Sequence, residues 1–401
     1  LTDQIKEFFV LIIICILTFS DNFCFAQVGD EIVALRSGKW SEPSTWGGNV
    51  PGNGSSVRIP LHLAVLFDTI SSRIKNINLA GVFRFEKEKN TLLYVETFIG
   101  QPSSKFEIGT SSQPIPANVT SQIVIIDNGS IDIEDDYEQI SKGLILRGAV
   151  EIYGAKKTSS LPLGNFPKIG DSSVSLSEIP EGWEVGDEIV ITGTEPDNPE
   201  SDEKRRISRL DSTIVILDEP LTRDHVSPRN DFKVHIANLS RNVVFSSENP
   251  AIDRRGHVMF MKNLDVDLNN VRFYQMGRTN KRIQVDDWYY ENLIAEDGEK
   301  GPRTNIRGRY SVHFHRGGVD PNNTSPAHVE GCVVEDDPGW AYVNHSSNVD
   351  FIDNVSYNVV GGAYQTESGD EIGSFIHNMA IRTVNPDYPI LNWRTSPVDI
   401  R

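Results

Sequence analysis

The feature that most constrains the fold of this chain is a repeat near its C-terminal end. Four segments each open on a short alternating run: 257–277 (HVMFMKNLDVDLNNVRFYQMG), 310–317 (YSVHFHRG), 340–361 (WAYVNHSSNVDFIDNVSYNVVG) and 363–383 (AYQTESGDEIGSFIHNMAIRT). His345 and Glu367 lie 22 residues apart, a length that suits one coil of a parallel β-helix. In such a solenoid, equal positions of successive coils stack at roughly 4.8 Å. Aligning the runs sets Lys262, His315, His345 and Glu367 in one column. A cation, two imidazoles and a carboxylate on one wall make acid/base or ligand chemistry, not core chemistry.

The remainder reads as all-β. Alternating runs at 56–59, 92–95, 122–126, 130–133, 144–146 and 150–153 are separated by Gly, Asn and Ser at turn positions. The segment 171–230 differs in tone, with a Pro-rich charged loop, and is expected to be a small inserted β-barrel or meander. From 231 the coils resume and run to 401, where a missing cap suggests truncation at the C-terminus. Asn269, Asn270, Asn348, Asn354 and Asn358 fall at expected coil corners, where Asn tolerates left-handed backbone angles. Residues 1–26 read as a signal peptide, with the apolar run Phe8–Phe19 and a cut after Ala26. The expected localisation is therefore secreted or cell-surface, with a membrane partner only if that segment is retained as an anchor. Cys15 and Cys24 fall in the signal, so Cys332 stands alone, forms no internal disulfide and reads as a buried small residue.

A net charge of −18 argues against nucleic acid as a partner. An anionic polysaccharide remains compatible where cations gather. Arg278, Lys281, Arg282, Arg303, Arg307, Arg309 and Arg316 do so near the His315 coil, with Asp286, Asp287, Glu296 and Asp297 among them. The stretch 278–307 breaks the repeat and carries Trp288, Tyr289 and Tyr290. A long excursion on a solenoid edge is a usual place for a binding loop. Arg278, Arg309, Arg316, Trp288 and Tyr289 are the expected substrate-binding residues.

Specific motifs in the first half resemble a known family. Trp40-Ser41-Glu42-Pro43-Ser44-Thr45-Trp46, with Gly47, Gly48, Pro51 and Val57-Arg58-Ile59-Pro60, resembles the opening of a G8 domain. Trp183–Ile191, Leu239–Val243, Gly256–Met261, Gly277-Arg278-Thr279 and Arg309–His315 resemble the region C-terminal to G8 in the cell-surface hyaluronidase family. That family includes the transmembrane protein 2 type and the hyaluronan-binding, cell-migration-inducing type; fibrocystin is similar in its G8 and β-helix parts. The resemblance implies a G8 domain over 29–165 joined to a right-handed parallel β-helix over 231–401. It also implies an extracellular role on hyaluronan or a similar glycan, and Ca2+ as cofactor. Asp336, Asp337, Asp350, Asp353, Asp370 and Glu371 offer oxygen ligands, but their spacing matches no calcium loop.

Alternation puts His313 and His315 on one face and Phe314 on the other. A second column is then Phe260, His313, Val343 and Gln365, and His313 reads as a packed imidazole bonded to backbone. Three chemistries suit the first column. Hydrolysis would pair Glu367 with Asp370, Glu371 or Asp336. Elimination would use His315 or His345 as base, with Lys262, Arg316 or Arg278 neutralising a uronate. A transition metal would take His315, His345 and Glu367. The expected catalytic residues are His315, His345, Glu367 and Lys262. The first expectation is a polysaccharide-degrading enzyme, the second a non-catalytic glycan-binding or adhesion module, the third a structural stalk.

Overall fold

A computed structural model of the chain describes residues 31–385, apart from 196, 197, 199, 230, 288–301, 321, 323 and 324. The expected signal segment and the aromatic pair Trp288 and Tyr289 lie outside the described residues. Among the described residues there is no α-helix, and no helix is long and apolar enough to cross a membrane.

The strands coil into a parallel β-helix with three walls. On the first wall Thr91–Gly100 pairs through its opening residues with Ser121–Ile125, followed by Val243–Ser247, Val271–Tyr274, Val333–Glu335, Val355–Val360 and Met379–Val384. The second wall runs from Glu31–Val33 through Ser56–Ile59, Gly143–Leu146, His257–Met261, Val312–Gly318 and Tyr342–Ile352 to Tyr364–Thr366. The third includes Ala64–Phe67, Val82–Phe85, Lys105–Ile108, Ala149–Tyr153, Val266–Asn269, Ala327–Glu330 and Ile372–Ile376.

Alternate residues of each strand turn inward, and parallel register lays like on like. Phe260 stacks on Phe314 with ring centroids 4.8 Å apart, Tyr342 on Tyr364 at 5.0 Å, Phe245 on Phe273 at 5.2 Å and Phe351 on Phe375 at 5.3 Å. These distances are close to the inter-strand spacing itself. Each buried aromatic contributes about 1.5–3 kcal/mol through burial. Two of the five expected corner asparagines are left-handed, while Asn269 and Asn348 lie within strands. Asn270 and Asn358 sit at φ 56°, and the Asn354 amide accepts the Cys332 N–H while bonding Asn378 in the next coil. Cys332 is fully buried, as its isolation in the sequence predicts.

Two expected boundaries need correction. The stretches expected as a G8 domain and a separate β-helix form one solenoid without a seam. Gly143–Leu146 bonds Thr97–Gly100 on one edge and His257–Met261 on the other. The chain leaves after Tyr153, makes the insert, and returns at Val243 onto the next coil. The insert is also larger than 171–230. Its antiparallel strands run from Ser160–Pro162 to His235–Asn238, and a Leu163–Leu176 bridge joins its two edges into a barrel. Its outermost strands alternate like coil strands, which hides them in the sequence. The barrel has its own core, including Trp183, Ile189, Ile207 and Val215. It docks on the first wall through Val190, Ala237 and Leu239 against Val333, Val355 and Tyr357, flanked by Lys204–Glu335 at 2.6 Å.

Four excursions leave the corner between the first and second walls, at 126–142, 248–256, 275–311 and 336–341. Their described residues bond one another, as Arg303 does to Tyr137 and Glu138 and Arg255 to Asp336, and form a bank beside the second wall, where Tyr310 packs on His313.

Candidate functional site

The second wall is where chemistry collects. Val258, Phe260, Val312, Phe314 and Tyr342 fill the interior, so the residues between them face out. Two outward rows result. One is Met259, His313, Val343 and Gln365; the other is Met261, His315 and His345. Glu367 continues the second row, because Thr366 pairs with Asn344 and the Glu367 N–H donates to the Asn344 carbonyl at 3.0 Å. The expected column is right for His315, His345 and Glu367.

It is wrong for Lys262. Met261 pairs with His315, and Lys262 lies one residue further on, exposed at a corner with φ 52°. Phe260 likewise faces inward on Phe314, so Met259 takes its expected place beside His313. The cause is a one-residue slip in that coil. A slip of one in a strand exchanges the two faces.

The register brings three imidazoles and one carboxylate together. The ring centroids of His315 and His345 are 4.6 Å apart, those of His313 and His315 5.2 Å, and those of His313 and His345 6.1 Å. Glu367 Oε2 lies 3.3 Å from His345 Nδ1 and 3.6 Å from His313 Nε2. His313 is 1% exposed, roofed by Tyr310, whose ring packs edge-on at 5.4 Å. His315, His345 and Glu367 are half-buried.

Sequence alone makes His313 only a packed imidazole. Half of that expectation holds, since its Nδ1 contacts the Gly308 carbonyl at 2.8 Å. A carbonyl only accepts, so Nδ1 carries the proton and Nε2 of the neutral ring carries a lone pair. Among the described residues that lone pair is buried with no hydrogen-bond partner, as is His315 Nδ1; Glu367 Oε2 is buried as well, with His345 Nδ1 as its nearer imidazole nitrogen. The signal for its membership was the His-x-His spacing, which puts both rings on one face of a strand.

The electrostatics reflect this crowding. Burial, then the neighbouring His313 and His345 rings, push the His315 pKa down to about 2, so this ring is neutral at physiological pH. Burial alone would raise the Glu367 pKa. The neighbouring His313 and His345 rings outweigh it and hold the carboxylate well below its usual range.

Two of the expected substrate-binding arginines are structural. Arg278 is 6% exposed, and its guanidinium bonds the carbonyls of Lys142 at 3.0 Å, Ser141 at 2.8 Å and Gln139. Arg309 is 7% exposed and donates to the carbonyls of Gln139 at 3.0 Å, Arg307 at 3.0 Å and Glu138. Both staple the 126–142 excursion to the 275–311 excursion and are buried away from a polysaccharide. Arg316 is exposed and lies beside His315, whose proton affinity it lowers.

The other expected carboxylates do not join the cluster. Glu371 is spent on backbone N–H groups, those of Ser346 at 3.2 Å, Glu367 at 3.0 Å and Gly369 at 2.7 Å. Asp336 accepts from the Asn358 amide at 2.5 Å at a corner, and Asp337 is buried against Ser311 and Gly339. Calcium, implied by the resemblance, takes six to eight oxygens. Three imidazoles and one carboxylate do not fit it.

Comparison with known proteins agrees with this architecture. Residues 45–163 match the G8 domain family, and residues 299–396 match the CEMIP beta-helix family. A G8 domain-containing protein of Dictyostelium discoideum is 23% identical over 360 residues, covering 84% of this chain and 23% of its own length. Communication mutant protein F of the same organism is 24% identical over 369 residues, covering 85% and 30%. Fibrocystin-L of Mus musculus is 22% identical over 401 residues, covering 90% and 9%. The chain thus spans under a third of the length of each of these relatives. One solenoid therefore runs through a stretch similar to the G8 domain family and on into a stretch similar to the CEMIP beta-helix family.

Proposed function

We propose that this G8-domain solenoid acts outside the cell on an anionic, uronate-containing polysaccharide such as hyaluronan, and cleaves it by elimination at the second wall. The observation that carries this reading is the contact of Glu367 Oε2 with His345 Nδ1 at 3.3 Å beside a neutral His315. With its Nδ1–H turned to the carboxylate, His345 presents Nε2 as a base, and Glu367 stabilises the imidazolium that forms. Arg316, exposed at the same edge, is placed to neutralise the uronate carboxylate. The bank of excursions gives the polysaccharide a wall to lie along.

In the step itself, His345 Nε2 takes the proton on the carbon next to the uronate carboxyl. The C–H electron pair becomes a carbon–carbon double bond, the adjacent C–O bond breaks, and the leaving oxygen takes the proton back from the imidazolium. Hydrolysis by a carboxyl pair needs two such groups about 5–9.5 Å apart. Among the described residues only Glu367 contacts the histidines.

The test is incubation of the protein with size-defined hyaluronan, chondroitin and pectin. Shortening with absorbance from an unsaturated uronate is the expected result. Shortening without that absorbance would replace elimination by hydrolysis. Binding without shortening would make the wall an adhesion surface.

A further inference from the structure

Elimination uses one lone pair of the cluster, on His345. The others remain. The clearest is His313 Nε2, which is buried, carries no proton in the neutral ring and faces Glu367 Oε2 at 3.6 Å. Two acceptors aimed at each other through a dry gap repel unless a cation lies between them. His315 Nδ1 is a further ring nitrogen buried here without a partner among the described residues. His313, His315 and His345 each offer a ligand atom, and these atoms lie within 4.8 Å of one another. Around a tetrahedral ion with bonds of about 2.0–2.1 Å, ligand atoms sit roughly 3.3 Å apart. Side-chain rotation closes that difference for His315 and His345, which are half-buried at the wall's surface.

The support for the rings is also what metal ligands receive. A ligating imidazole donates its other N–H to a carbonyl or carboxylate, which fixes the tautomer. His313 does so to Gly308, and the tight turn at Gly308 (φ 79°) leaves a Cβ there only 3.3 Å from the ring. The donor set is nitrogen-rich and rigid on one side, which suits zinc, copper or nickel and not calcium or magnesium.

We infer that His313, His315 and His345 form a transition-metal site, with Glu367 as the fourth ligand, on the outer face of the second wall. The inference does not rest on glycan cleavage, because occupancy is read on the protein without polysaccharide. It also makes occupancy and proton transfer compete, since both draw on His345.

The experiment strips the untagged protein with a chelator and titrates it with Zn2+, then with Co2+, whose visible bands report imidazole ligation. We expect one ion per chain, unaffected by excess Ca2+ and weakening as the pH is lowered, because protons compete for the same nitrogens. His315→Ala and His345→Gln should each weaken binding at least tenfold. His328→Ala, at an exposed ion pair with Glu330, should leave it unchanged. Two variants are used so that one unfolded protein does not end the test, and circular dichroism identifies that case. Substoichiometric binding, or equal binding by both site variants, overturns the inference. Metal binding without glycan shortening would leave it standing and remove the elimination reading; shortening without metal binding would do the reverse.

Discussion

Two buried polar clusters lie beside each other on this solenoid, and they are built on opposite rules. In the corner bank, Arg278 and Arg309 aim cationic donors at the carbonyls of 138–142, so donors meet acceptors. Among the described residues, His257 Nε2 and Arg278 Nε are left over there. On the second wall, His313 Nε2 faces Glu367 Oε2 at 3.6 Å as acceptor to acceptor, and His315 Nδ1 is buried beside them without a partner among the described residues. The bank lowers its energy by being satisfied; the wall keeps open valences that a proton, a metal ion or a substrate fills. Residue type alone does not separate the two, because both contain buried charge. Direction of donation does.

Four substitutions test that distinction, from the largest effect to the smallest. His345→Ala should reduce glycan shortening by about 100-fold to 10,000-fold, the usual worth of a general base, while the melting temperature stays within about 2 °C. A parallel loss of stability would place His345 with the corner bank. Arg278→Met should do the converse. It leaves several buried carbonyls unpaired and costs about 3 kcal/mol or more in denaturant unfolding, with activity per folded molecule retained. A stable Arg278→Met protein that has lost substrate affinity would restore this residue to the binding surface.

Third is the pH dependence of stability. The folded pKa of His315 lies below its unfolded value of 6.5, so the unfolded chain binds the extra proton. Its contribution is present above pH 6.5 and is lost as pH falls toward about 2. Glu367, also depressed, adds to the loss below pH 4.5. The pH profile of His315→Gln unfolding should therefore be flatter than that of the parent between pH 6.5 and 4.5. Identical slopes would mean that the ring titrates normally. Smallest is Lys262→Met, at the exposed corner, which should alter activity less than about threefold and stability by under about 0.5 kcal/mol.

The error at Lys262 shows how much of this was legible in sequence. Alternation and the 22-residue interval between His345 and Glu367 located the solenoid and three members of the column. In the coil 257–262 the alignment followed charge, pairing Lys262 with His315. Following the apolar alternation would have matched Phe260 with Phe314, which stack in the core, and the register would have been right. His313 was visible on the correct face, but its second role depends on Gly308, which meets it only through a corner turn. Arg278 and Arg309 looked like a surface patch because nothing in sequence shows that 126–142 and 275–311 leave the same corner. The barrel's first and last strands in the chain, Ser160–Pro162 and His235–Asn238, are indistinguishable from coil strands until their antiparallel partners are known.

The central claim is that successive coils make residues distant in the chain work as one unit. A double-mutant cycle on chain shortening, with His345→Ala, Glu367→Gln and both together, tests it most directly. Residues acting as a unit give non-additive losses, so the double variant should be no slower than the slower single one. Losses that multiply, or a parent protein that shortens none of the three glycans, would contradict the account.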